Sequence, residues 1–136
     1  MPTLGALLLM RKKILVVDDV PVIRAGTSLI LRNLGFETEE AASGSEALDK
    51  IQRTRYALIF MDYNMPKMDG CECARLIRCY EDELGTRTPI ICFTSGALTQ
   101  VSRECLEAGM DDCLSKSCQV EELWHTVTRW KGSAFA

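Results

Sequence analysis

Five polar side chains follow short apolar runs in this chain of 136 residues, and their types suit phosphoryl chemistry. Asp18 and Asp19 follow Ile14-Leu15-Val16-Val17, and Asp62 follows Ala57-Leu58-Ile59-Phe60-Met61. Thr94 follows Ile90-Ile91-Cys92-Phe93, and Lys116 follows Asp112-Cys113-Leu114-Ser115. Singly, each is ordinary: an Asp after such a run is a helix cap or turn former, and a lone Thr or Lys carries no signal. Together they are not. Adjacent carboxylates beside a third repel one another unless a cation joins them. Hard oxygen donors suit Mg²⁺, which keeps several waters and takes only a few carboxylates. A carboxylate beside Mg²⁺ can attack a phosphoryl group and become an aspartyl phosphate. The transition state spreads charge over the phosphoryl oxygens. Mg²⁺ would neutralise one, Lys116 a second, and the Thr94 hydroxyl would donate to a third. The chain has no glycine-rich phosphate loop of Walker type, so a nucleotide bound here is not the expected donor.

For these groups to meet, the apolar runs must lie side by side. Asp18 and Asp62 are 44 residues apart, Asp62 and Thr94 32, and Thr94 and Lys116 22, spacings of one or two strand–helix units. Continuous rather than alternating apolar runs predict strands buried on both faces, as in a parallel sheet. Phe36 to Ala41 and Asp112 to Ser115 are the weaker of the five strand candidates. Helical patterns separate them all. Ser43-Gly44-Ser45-Glu46 is a capping box opening a helix over 43–54 whose buried stripe is Ala47, Leu48 and Ile51. Cys73, Ile77, Tyr80 and Leu84 recur on one helical face. Leu98, Val101, Cys105 and Ala108 do the same, and Gly109 caps them. Val120, Leu123, Trp124 and Val127 mark a last helix ending near Trp130, and the tryptophans and methionines are assigned to the core. Five strand–helix units with right-handed crossovers give an α/β, doubly wound open sheet. Such sheets bind ligands outside the carboxyl ends of their strands, where the five polar residues stand.

The bulk properties agree. Sixteen Lys plus Arg against nineteen Asp plus Glu give a net charge of −3, which offers nucleic acid no electrostatic footprint. The apolar stretch Gly5 to Met10 is far below the roughly 20 residues of a membrane span, and its charges follow it, the wrong order for a signal peptide. The chain reads as cytoplasmic, with no membrane contact of its own. Cys71, Cys73, Cys79, Cys92, Cys105, Cys113 and Cys118 contain no CxxC and do not cluster around the single histidine, His125. They are expected to be free thiols packed as small hydrophobes, with metal or redox chemistry the lesser alternative.

The segments Lys-Ile-Leu-Val-Val-Asp-Asp (13–19), Phe-Met-Asp-Tyr-Asn-Met-Pro-Lys-Met-Asp-Gly (60–70), Pro-Ile-Ile-Cys-Phe-Thr-Ser (89–95) and Asp-Cys-Leu-Ser-Lys (112–116) resemble the receiver domain of two-component response regulators. The resemblance covers about residues 12–130. It leaves 1–11 as an N-terminal extension or expression remnant and 131–136 as a short tail. It implies a flavodoxin-like (βα)5 sandwich with strand order 2-1-3-4-5. By the same resemblance Asp62 is the phospho-accepting nucleophile. Asp19 and Asp62 would contact Mg²⁺ directly, Asp18 mainly through water, and the backbone carbonyl of Asn64 would complete the protein ligands. Thr94 would be the switch hydroxyl and Lys116 the phosphoryl-pairing cation. The implied partners are a sensor histidine kinase or histidine phosphotransfer protein as donor, docking near Val20, Pro21, Val22 and Ile23 (of which at least half read equally well as core), and a downstream protein target. Whether the chain is a stand-alone receiver or a piece of a hybrid kinase stays open.

Two positions depart from the family pattern. Cys113 stands where receivers usually carry an aromatic residue, and Ser117 where a proline usually follows the lysine. The first either leaves space beside Thr94 or lets another residue fill it. The second predicts a trans bond with a shifted loop or a strained cis bond. Asn64 and Gly96 flank the path of attacking water, and Gly96 has no side chain to block it. Three other readings compete. A degenerate receiver would serve only as an interaction surface and would not bind Mg²⁺. An aspartyl-phosphate hydrolase of the dehalogenase type would want an acid where Asn64 stands. A flavin-binding protein would want a Ser/Thr/Gly-rich loop where Asp18-Asp19-Val20-Pro21 stands.

Overall fold

The computed structural model describes residues 12–135, the last five by backbone alone. Five strands alternate with five helices: β1 (Ile14–Val17), α1 (Pro21–Asn33), β2 (Thr38–Ala41), α2 (Gly44–Arg53), β3 (Leu58–Asp62), α3 (Gly70–Leu84), β4 (Ile90–Thr94), α4 (Leu98–Glu107), β5 (Asp112–Ser115) and α5 (Val120–Phe135). The strands form one sheet in the order β2-β1-β3-β4-β5, every pairing parallel. The doubly wound architecture and strand order are those expected. The apolar prefix lies outside the described residues.

Period-two alternation sorts the strand side chains onto two faces. Leu15, Val17, Ile59, Met61, Ile90 and Cys92 pack with residues of α2, α3 and α4. Ile14, Val16, Leu58, Phe60, Ile91 and Phe93 pack with Leu31 of α1 and Leu123 and Val127 of α5. Both faces are covered, which is why β1, β3 and β4 carry unbroken apolar runs. Each large side chain so buried contributes roughly 1.5–3 kcal/mol.

Helix ends follow local chemistry. Ser43 accepts the Glu46 N–H at 3.1 Å, and the Glu46 carboxylate accepts the Ala42 N–H at 2.9 Å. Asp69 caps α3 the same way, from Glu72 N at 2.8 Å. At the end of α4, Gly109 takes φ +100° while Met110 N donates to Cys105 O at 2.9 Å and Gly109 N to Leu106 O at 3.1 Å, a Schellman cap.

Three sequence expectations change. On α3, Leu84 is 55 % exposed while Glu81 is buried, because an ion pair with Arg78 lets a carboxylate occupy the inner face. Trp124 is 40 % exposed and stacks on Phe36 at 5.7 Å between ring centroids, outside the core. The last helix continues to Phe135, beyond the expected end at Trp130.

Candidate active site

The alternation that builds the core also aims the polar groups. Continuing past the strand ends, Asp18 follows the parity of Ile14 and Val16, Asp62 that of Leu58 and Phe60, and Lys116 that of Leu114. All three therefore leave the sheet on its α1/α5 side. The sheet register then brings β1, β3 and β5 to one edge. Asp18, Asp19 and Asp62 each place a carboxylate oxygen within 4.8 Å of the others. The Lys116 ammonium joins them, 2.9 Å from Asp18 Oδ2 and 3.0 Å from Asp62 Oδ1.

Three negative charges face one positive charge, and Asp18 and Asp62 are both buried. Burial pushes the Asp62 carboxyl up to about 6; the Lys116 ammonium pulls against it, and the Asp18 charge adds to the rise. Burial opposes the charge of Lys116, but its hydrogen bonds to Asp18 and Asp62 outweigh that and hold its pKa above the ordinary lysine value. A hard divalent cation fits this donor set, since carboxylate oxygens are its preferred ligands and the surplus charge calls for one.

The segments around Asp62 hold it from behind. Gly70, the first residue of α3, donates its N–H to Tyr63 O at 3.0 Å. A Cβ placed on Gly70 would lie 2.1 Å from the carbonyl oxygen of Asp62, so only glycine lets α3 start this close to the strand end. Between them Lys67 takes φ +70° in a tight turn with Met68 N on Pro66 O at 2.8 Å. That conformation is strained for a lysine. Sequence reading assigned neither Gly70 nor Lys67 a role. The Asp69-Gly70 pair was the available signal for the first; nothing in the sequence marks the second.

Thr94 leaves the sheet on the other face, with Cys92, one residue beyond Phe93, the register partner of Asp62. Its hydroxyl oxygen accepts the Gly96 N–H at 3.0 Å, and its carbonyl accepts the Lys116 N–H at 2.8 Å. Asn64 is exposed and lines, with Tyr63, Thr94, Gly96 and Glu104, a cleft of about 650 Å³. The Tyr63 hydroxyl donates to Glu104 across that cleft. No cis peptide bond occurs among the described residues, so the Lys116–Ser117 bond is trans. Ser115 Oγ accepts Ser117 N at 3.1 Å and meets Ser117 Oγ at 2.8 Å, shaping the loop that a proline would otherwise shape. Val20, Val22 and Ile23 are 40, 82 and 38 % exposed beside the carboxylates. They form an apolar surface rather than core.

The chain is similar to known proteins. A model of the response regulator receiver domain matches residues 14–128. The sensor histidine kinase RcsC of Escherichia coli is 37 % identical over 115 residues, 85 % of this chain and 12 % of that protein. GacS of Pseudomonas protegens is 35 % identical over 123 residues, 90 % of this chain and 13 % of that protein. The chain thus spans about an eighth of the length of these curated relatives. The receiver domain of the sensor histidine kinase PA1611 from Pseudomonas aeruginosa, crystallised with a magnesium ion coordinated in its active site cleft, superposes with a TM-score of 0.80 at 39 % identity, covering 89 % of this chain and 98 % of that one. The receiver domain of the Arabidopsis thaliana histidine kinase CKI1, complexed with Mg²⁺ and BeF₃⁻, superposes with a TM-score of 0.78 at 36 % identity, covering 90 % of each chain.

Proposed function

Because this chain belongs to the response regulator receiver domain family, we propose that Asp62 accepts a phosphoryl group from a phosphohistidine of a sensor histidine kinase or histidine phosphotransfer protein. The observation that carries this reading is the gathering of Asp18, Asp19 and Asp62 within 4.8 Å around a single ammonium, Lys116. A purely structural cluster would be neutral.

In the transfer, an Asp62 carboxylate oxygen forms a bond to phosphorus as the phosphorus–nitrogen bond of the donor breaks. The bonding pair leaves on the imidazole, which takes up a proton. With its carboxyl at about 6, Asp62 is ionised at neutral pH and is a better nucleophile than an ordinary carboxylate. Mg²⁺, held by Asp19, Asp62 and the Asn64 carbonyl, with Asp18 acting mainly through water, would neutralise charge on one phosphoryl oxygen. Lys116 stands on the nucleophile already and pairs with a second oxygen as charge moves outward. The Thr94 oxygen is occupied as acceptor of the Gly96 N–H, leaving its own proton for the third. Drawing Thr94 inward moves β4 and the start of α4, the conformational step read by a downstream protein. The exposed Val20, Val22 and Ile23 suit an apolar helical donor docking at the site edge. Asn64 and Gly96, both exposed, admit water, so the phosphoryl group is not long-lived; a half-life of many hours would overturn that point.

The test is intact mass after incubation with Mg²⁺ and acetyl phosphate, beside Asp62→Ala. Gain of one phosphoryl group by the wild type alone, abolished by a chelator, is expected. No gain together with no Mg²⁺ binding would sink the reading and leave an interaction module.

A further inference from the structure

The seven thiols are unevenly distributed. Cys92 in β4, Cys105 in α4 and Cys113 in β5 have sulfurs that all lie within 4.8 Å of one another. The sheet makes the first contact, since Cys92 and Cys113 are direct partners in the β4–β5 register. The helix makes the second, since Cys105 lies on the inner face of α4 over that pair. Cys92 and Cys105 are fully buried, whereas Cys113 is partly exposed, so the triangle has one side open to solvent. We propose that Cys92, Cys105 and Cys113 form a binding site for one thiophilic divalent cation of the zinc class.

Packing as a small hydrophobe explains any one of these residues. It does not explain why three separate elements each contribute a thiol to the same point. Thiolates on zinc, at about 2.3 Å from the metal, sit about 3.8–4.0 Å from one another. A triangle with no edge above 4.8 Å closes to that size with a movement of less than about 1 Å per pair. A disulfide would use two sulfurs, which must approach to about 2.05 Å, and leave the third without a role. Soft thiolates select against Mg²⁺ and Ca²⁺, so the site does not compete for the cation of the carboxylate cluster. Charge selects further: a divalent ion leaves one uncompensated negative charge among three thiolates, a monovalent ion two. The smaller surplus is the less costly in a mostly buried site. Binding exchanges three thiol protons for one ion, and the protons leave by the open side at Cys113. The site is separate from the phosphoryl-transfer residues and does not depend on their assignment.

The experiment titrates the whole, reduced chain with Cd²⁺ in excess Mg²⁺, reading the ultraviolet charge-transfer absorption that only thiolate-bound Cd²⁺ produces. One equivalent of Cd²⁺ should saturate the band, and Zn²⁺ should displace it. Cys113→Ser, which alters the partly exposed ligand and spares the core, should weaken binding by about 100-fold or more, the upper end of what losing a mere supporting contact costs. Cys79→Ser, at an exposed thiol outside the cluster, and Asp62→Asn should leave it unchanged, and far-UV circular dichroism verifies that each variant is folded. Absence of the band in the wild type would overturn the proposal. So would binding that survives Cys113→Ser or fails in Asp62→Asn. A disulfide formed within the cluster by hydrogen peroxide, with no Cd²⁺ bound beforehand, would replace the metal site with a redox pair.

Discussion

The two ends of the sheet each hold buried carboxylates around a basic side chain, and they are balanced differently. At the amino ends of the strands, the Arg78 guanidinium donates to Glu81 at 2.6 Å, Asp111 at 2.8 Å, Thr88 O at 2.8 Å and Gly109 O at 2.8 Å. Glu81 also accepts Thr88 N at 2.6 Å, while Asp111 accepts Ile90 N at 2.9 Å and Arg87 at 2.6 Å. Two acids meet two arginines, and the donors and acceptors are matched. At the carboxyl ends, three acids cluster and one lysine pairs with two of them. The first arrangement needs nothing further to be stable. The second carries a surplus of negative charge, the imbalance expected of the proposed phosphoryl-transfer site.

Removing one charge should therefore act with opposite signs at the two ends. Arg78→Met strands Glu81 and Asp111 in a nearly buried site and should destabilise the fold by about 3–5 kcal/mol, measured by urea unfolding. Asp62→Asn removes one of three mutually repelling charges and, without Mg²⁺, should stabilise by about 1 kcal/mol, the energy of one close charge pair at the high-dielectric limit. Equal destabilisation by both would erase the distinction.

Next in size is a positioning effect. Gly70→Ala would drive a methyl group against the Asp62 carbonyl, displacing the proposed nucleophile. Its phosphorylation rate with acetyl phosphate should fall by about 100-fold, while Gly26→Ala, with open space around its Cβ, should not change it.

The pH dependence is smaller and sharper. Asp62 has its carboxyl raised from 3.8 to about 6, so the folded state holds that proton longer than the unfolded chain does. Without Mg²⁺ its ionisation subtracts stability as pH rises from about 4 through about 6. The melting-temperature advantage of Asp62→Asn should accordingly be absent below pH 4, grow across that window and be constant above it. Glu39 behaves oppositely. The Tyr56 hydroxyl, donating at 2.6 Å, holds its carboxyl below the ordinary value against the effect of burial, with Lys13 assisting. That contribution is present above the unfolded carboxyl pKa and is lost as pH falls through the folded value. Tyr56→Phe should flatten the acid limb of the stability profile without touching the Asp62 window.

The smallest effect belongs to the surface. Lys13 and Glu39 are paired at 2.9 Å but are partly exposed, and Lys13→Met should change stability less than any substitution above, because water screens the pair. A larger loss would mean that exposed pairs rival the Arg78 network.

Most of the architecture was legible because burial on both faces demands unbroken apolar runs, and three of the five strands have them. The carboxylates, Thr94 and Lys116 were legible because each sits at a strand end, where parity and register carry a side chain to a predictable edge. Sequence reading failed where an outcome depended on a partner distant in the chain. Glu81 has no place in the expected apolar face until Arg78 and Thr88 surround it, and Leu84 loses its inward place as a result. Trp124 reads as core until Phe36 offers it a stacking partner at the surface. Ser117 left the peptide geometry open, and the Ser115 hydroxyl favoured the trans loop.

The amino-acid sequence by itself determined the layer order, the residues at the carboxyl edge of the sheet and the chemistry their types allow. Periodicity and strand-end position are local properties that every such fold must obey. The tertiary structure alone decided that Lys116 bridges Asp18 and Asp62, that Gly70 presses on the Asp62 carbonyl, and that Cys92, Cys105 and Cys113 meet. Those contacts join residues far apart in the chain, and distance through space is set by register and helix packing.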